Sequence, residues 1–164
     1  MERRKNSGFS LIELIVVVAI MGVMIGVVSF SIGLIHSTNV KKCAQSIKTG
    51  IDATRVNCMS KANASKITVC VEDDVIKLKP VSGGANLEVQ ELGSANAIHV
   101  TYTVQGDTKE YSIASDPLTV SFTKSTGEFG TLNDAKIPDK IYVRGGSKSF
   151  TITCYKLTGK SVFE

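Results

Sequence analysis

The chain contains no tryptophan, two histidines, three prolines and only 6% aromatic residues. Each shortage excludes something. His36 and His99 have no acid or cysteine at ligand or triad spacing, so neither metal chemistry nor a nucleophile–base pair is expected. No glycine-rich loop follows a strand and opens a helix, so a phosphate cradle is absent. No carboxylate pair stands out. The four cysteines (Cys43, Cys58, Cys70, Cys154) never form C-x-x-C, which argues against a zinc knuckle or redox motif. The residues therefore predict no enzyme: no catalytic residue, no cofactor-binding residue and no metal site. The net charge of +4 is modest, and half of it lies in the first residues, Glu2, Arg3, Arg4 and Lys5. Composition alone does not argue for nucleic acid.

What is present is one long apolar run. From Phe9 to Ile35 the only charge is Glu13. A cleavable secretory signal has an apolar core of about 7–15 residues and a small-residue cleavage site. This run is longer and ends in I-H-S-T-N, without A-x-A, at a length that suits a spanning helix. The basic leader predicts an N-terminus held in the cytoplasm and a C-terminal domain sent outward. Glu13 does not suit a plain anchor, because a carboxylate deep in hydrocarbon costs on the order of 2.5–3.5 kcal/mol. It either snorkels to the cytoplasmic face or waits for a cationic partner.

The residues G-F-S-L-I-E-L-I-V-V (Gly8–Val17), behind a short basic leader, resemble the signal of type IV prepilins and pseudopilins. The resemblance covers Arg3 to about Ile35. It implies cleavage by a prepilin peptidase between Gly8 and Phe9, and N-methylation of Phe9. It gives Glu13 a partner as well: the new α-amino group of a neighbouring subunit, met as the subunit leaves the membrane lipid and enters a filament. Two charges costly to bury apart become a pair on docking. Gly22 and Gly26 form G-x-x-x-G, and Ser29 with Gly33 repeats the spacing, which allows close helix packing in lipid. Many major pilins carry a proline near position 30, where this chain has Phe30. That departure favours a minor pilin or pseudopilin.

Beyond the run, Val40, Cys43, Ala44, Ile47, Ile51, Thr54, Cys58 and Ala62 recur at threes and fours, a single buried stripe on a helix. No proline interrupts from Phe9 to Ala62, so one helix of about 54 residues is expected, stopping at Asn63. Gly50 should weaken it by about 1 kcal/mol relative to alanine. Cys43 and Cys58, about 22 Å apart by helical rise, cannot pair with each other. In an exported domain the four cysteines permit two disulfides; otherwise they are small buried apolar residues.

From Ser65 the period changes to two, predicting about eight short, mostly antiparallel strands. Glu72–Asp74 reads as an acidic turn rather than a calcium loop. Pro80–Ala85 reads as a loop. Leu87–Leu92, Ile98–Val104, Glu110–Ile113, Leu118–Phe122, Ile141–Val143, Phe150–Tyr155 and Ser161–Phe163 read as strands. The predicted fold class is α+β: a long N-terminal helix packed on antiparallel sheet. The predicted domains are a leader (1–8), a transmembrane and filament-core helix (9–35), its amphipathic continuation (36–62) and an extracytoplasmic β-rich domain (63–164).

V-S-F-T-K-S-T-G (Val120–Gly127), S-F-T-I-T-C-Y-K-L-T-G-K (Ser149–Lys160) and the helical pattern from Ala44 to Arg55 resemble the H-type pseudopilin/FimT branch. Some members of that branch bind DNA through a basic C-terminal turn. Gly159-Lys160 matches only part of such a motif, although Arg144, Lys148, Lys156 and Lys160 could form a small basic patch. The resemblance thus implies a structural subunit of a pilus-like filament serving type II secretion, DNA uptake or pilus assembly. Its implied partners are the peptidase, other pilin subunits and an inner-membrane assembly platform. The rival readings are a DNA- or ligand-binding tip subunit and an anchored surface protein that never polymerises.

Overall fold

The computed structural model describes residues 10–60, 65–131 and 135–164; for residues 27–37 it describes the helical backbone alone. The predicted helix end at Ala62 and the stop at Asn63 lie outside the described residues, as do Gly8 and Phe9. The chain divides into two units, Met1–Ile35 and His36–Glu164. A single helix assignment, α1 (Leu11–Ser60), runs through both.

In the first unit α1 opens with the amide of Leu14 donating to the carbonyl of Ser10 at 3.2 Å. Its residues are mostly leucine, isoleucine, valine and methionine, with no polar face. Every described large apolar side chain from Leu11 to Ile25 is exposed, between 43% at Val17 and 76% at Leu11. Among the described residues, no helix is long and apolar enough to cross a membrane. In this first unit the side chains are described as far as residue 26.

The second unit is α+β. Eleven strands are assigned among the described residues: β1 (Ser65–Glu72), β2 (Val75–Ser82), β3 (Ala85–Asn86), β4 (Gln90–Ser94), β5 (His99–Val104), β6 (Glu110–Ser112), β7 (Leu118–Phe122), β8 (Phe129–Gly130), β9 (Pro138–Gly145), β10 (Lys148–Tyr155) and β11 (Lys160–Phe163). One sheet runs β3-β2-β1-β7-β8, with β4 also pairing β2. The other runs β11-β10-β9-β5-β6. Every pairing is antiparallel, and short turns require this of the consecutive pairs.

The stripe of α1 closes the core. Val40, Cys43, Ala44, Ile47, Ile51 and Cys58 are fully buried among Ile67, Val69, Leu78, Val100, Val120, Ile141 and Ile152, residues of both sheets. Thr54 is buried too, its hydroxyl returned to the Gly50 carbonyl at 2.7 Å. Polar bonds fix the register of helix on sheet. Ser161 Oγ donates to Asp52 at 2.8 Å, Arg55 Nε donates to the Gly127 carbonyl at 2.9 Å, and Cys58 Sγ donates to the Phe122 carbonyl at 3.1 Å.

Gly50 has a packing reason that helix propensity does not show. A Cβ there would stand 2.6 Å from Leu78 Cδ2 and 2.8 Å from Ile67 Cδ1, so the missing side chain lets α1 reach the sheet. The acidic turn is also as expected: Asp73 and Asp74 both have positive φ, 53° and 59°, the conformation of a tight two-residue hairpin turn that aspartate tolerates.

Several strand bounds differ from expectation by a few residues, and two differences have a clear physical reason. Pro80 was expected in a loop but lies inside β2, opposite Ile67. The Pro80 carbonyl accepts from the Leu87 amide at 3.0 Å, so the missing N–H of Pro80 faces the same side. There the neighbouring chain is interrupted: β3 pairs Val81 and Ser82, β4 pairs Val75 to Leu78, and residues 87–89 belong to no strand. A proline is tolerated where no ladder bond is due. The same detour shortens the expected strand Leu87–Leu92 and leaves Leu87 and Val89 exposed.

Candidate functional site

The N-terminal helix carries the most distinctive chemistry. Glu13 lies in its first turn, next to the amides that a helix start leaves unsatisfied. The side chains around it are apolar and exposed. Valine and isoleucine are mediocre helix formers, and an isolated helix is marginal in water. A helix of this composition is stabilised where backbone groups must satisfy one another, in lipid or among other apolar helices. At Gly22 and Gly26 a Cβ would meet nothing within 4 Å, so that face is open to close approach. The side chains of Ser29 and Gly33 lie outside the described residues, as does the predicted cleavage and methylation pair Gly8 and Phe9.

The four basic residues of the C-terminal region are not brought together. Arg144 and Lys148 lie beside the β9–β10 turn, Lys156 and Lys160 beside the β10–β11 turn, and the whole of β10 separates the pairs. An eight-residue strand spans roughly 25 Å. Arg144 is also engaged: its guanidinium bonds Glu110 at 2.5 Å and stacks over the Tyr142 ring at 4.8 Å. Thr101 and then Arg144 hold the Glu110 carboxyl below its usual range. A single basic patch of all four is therefore corrected to two separate pairs.

The cysteines behave as core residues. All four are free and buried. Burial pushes the thiols of Cys43 and Cys154 up to about 12, and that of Cys70 upward. Such thiols are not nucleophiles at neutral pH. Among the described residues no group of three or more His, Cys, Asp or Glu could hold a metal ion.

One polar network was not foreseen. Lys136 Nζ donates to Tyr102 Oη at 2.7 Å and to the Asp116 carboxylate, and it lies over the rings of Tyr102 and Tyr111. The Lys136 hydrogen bond holds the Asp116 carboxyl below its usual range. The pair stays ionised near neutrality, which suits a structural clasp and not proton transfer. No spacing in the sequence announces it, because its members come from β5, the segment after β6 and the segment before β9.

The prokaryotic N-terminal methylation motif matches residues 3–29. No curated protein and no solved structure matches the chain. The match covers the leader from Arg3, Glu13 and the G-x-x-x-G, all within the unit whose described apolar side chains are exposed. Residues 3–29 thus carry a type IV prepilin signal, and the described residues beyond them fold as an α+β unit.

Proposed function

We propose that this protein is a structural subunit of a type IV pilus-like filament, in the role of a minor pilin or pseudopilin. A prepilin peptidase cuts between Gly8 and Phe9 and methylates Phe9. Residues 9–35 hold the unassembled subunit in the cytoplasmic membrane, N-terminus inside, and residues 63–164 stand outside as the β-rich domain on the amphipathic stretch 36–62. On assembly the apolar helix leaves lipid for a bundle of like helices, packed at Gly22, Gly26, Ser29 and Gly33. Glu13 then pairs with the α-amino group of a neighbour, which selects the axial register. The observation that carries this reading is the methylation motif lying on a helix with no covered face. A helix apolar all round needs a nonaqueous surrounding or partner helices. The filament serves type II secretion, DNA uptake or pilus assembly, through an inner-membrane assembly platform.

A DNA-binding tip subunit has less support, since β10 separates the two basic pairs and Arg144 is paired with Glu110.

Mass spectrometry of the native protein tests the reading. The expected mature chain lacks eight residues and carries one methyl group on Phe9. A native N-terminus at Met1 refutes it. Glu13→Ala is expected to leave cleavage intact and reduce the subunit in sheared filaments; undiminished incorporation refutes the pairing.

A further inference from the structure

The two ends of the second unit differ in chemistry, and they complement each other. At the end where α1 terminates, the β10–β11 turn rests on the helix. Gly127 lies against Met59 and Arg55, and Gly159 lies against Gly127 and Arg55. This junction presents apolar side chains outward: Leu157 is 78% exposed, Tyr155 49%, and Met59, which lies against Gly127, is exposed too. Lys156 and Lys160 flank the apolar turn, and Lys124 lies in the turn before Gly127; Glu128 follows that turn, and Asp52, bonded to Ser161, is paired with Lys48. The patch is apolar with a basic rim.

At the other end, Asn39 and Lys42 of α1 border a groove of about 680 Å³. Asp73, Asp74 and Glu91 line it, with Val75 and Leu92 as apolar wall and Lys42 as its one cation. Asp73 also pairs with Lys77, at 3.4 Å, and stays largely exposed. The groove is acidic with an apolar lining.

The twenty steps of helical rise from Asn39 to Met59 set these surfaces about 30 Å apart. They cannot meet within one chain. A second copy displaced along the helix axis can bring them together. Such a head-to-tail contact is heterologous, and where its rotation does not close a ring it propagates as an open helical array.

We infer that the Tyr155–Lys160 turn of one copy docks into the Asp73–Asp74–Glu91 groove of the next. Leu157 enters the groove, and the lysines face its carboxylates. Leucine in an apolar cleft supplies burial, and opposite charge at the rim fixes the orientation. This contact rests on the filament reading and specifies how the domains of that filament touch.

The test uses the full chain in cells that assemble it. Leu157→Cys with Glu91→Cys in one chain is expected to give a ladder of disulfide-linked multimers in sheared filaments; the four native cysteines are buried and add no background. K156E/K160E is expected to lower incorporation roughly tenfold, as like charges meet at the rim. Adding E91K to that variant is expected to recover most of it, with the unfolding midpoint unchanged throughout. Cleaved, incorporated double-cysteine protein that stays monomeric overturns the contact. So does K156E/K160E that incorporates normally but loses salt-sensitive DNA retention, which makes the turn a DNA surface instead. A wild-type chain that is never cleaved or incorporated overturns the filament reading itself, a separate outcome.

Discussion

The two parts of α1 share one backbone conformation and opposite surroundings. From Leu11 to Ile25 every described large apolar side chain is exposed. From Val40 to Cys58 the apolar stripe is sealed beneath two sheets, while Lys41, Lys42 and Gln45 face outward. The difference lies in pattern. Apolar residues at threes and fours give a helix one face to bury, and a domain can cover one face. Apolar residues on all sides cannot be covered by the chain's own sheets. The first part therefore depends on something outside the chain, and the second completes the core.

The largest expected effect separates the two parts directly. Ile51→Ala removes a fully buried side chain and should cost about 2–5 kcal/mol. Ile20→Ala removes an exposed one and should change the stability of the β-rich unit by less than about 0.5 kcal/mol. Urea unfolding of the detergent-held full chain, followed by circular dichroism, measures both. Equal costs would break the comparison.

A smaller effect comes from two glycines on the same helix. Gly50→Ala gains about 1 kcal/mol in helix propensity, yet its Cβ meets Leu78 and Ile67 below 3.0 Å. Overpacking of about 1–3 kcal/mol should outweigh the gain, so the midpoint falls. Gly22→Ala meets nothing and should leave the midpoint unchanged, while lowering incorporation into filaments by hindering close helix approach. A rise in midpoint for Gly50→Ala would show that the sheet yields.

The smallest effect belongs to the surface pairs of the β-rich unit. Lys136 depresses Asp116, and Thr101 with Arg144 depresses Glu110. Depressed carboxyls stabilise the folded state above their unfolded values, about 3.9 and 4.3, and lose that contribution as pH falls through the folded values. Stability should be level from pH 7 to about 4.5 and decline below it. Both carboxylates are more than a third exposed, so solvent screening keeps the effect small. Asp116→Asn with Glu110→Gln should flatten the decline, and a slope unchanged by that variant would assign the acid sensitivity elsewhere.

Much of this was legible before the structure. Every described member of the predicted stripe is buried, because the 3.6-residue period reports a face directly. The hairpins at Asp73-Asp74 and Gly106 were visible in their turn residues. Strand extent was less legible. Pro80 looked like a loop because a proline removes a donor, and only the interruption between β3 and β4 shows that no donor was needed. The basic residues Arg144, Lys148, Lys156 and Lys160 looked like one patch because they lie close in sequence, and an extended strand between them undoes that. Of the prepilin signal, the motif was complete in the residues themselves, since a peptidase reads a linear segment.

The sequence by itself determined the signal over residues 3–29, the helix and its buried stripe, the hairpins and the absence of C-x-x-C. These depend on neighbours within one or two turns, or on period alone. Only the tertiary structure decided that two sheets share one helix face, that Gly50 is a contact point, and that Lys136 clasps Asp116 and Tyr102. It alone placed Leu157 outward at one end and Asp73, Asp74 and Glu91 around a groove at the other. Those facts join residues far apart in the chain, and no local propensity encodes which distant strands will meet.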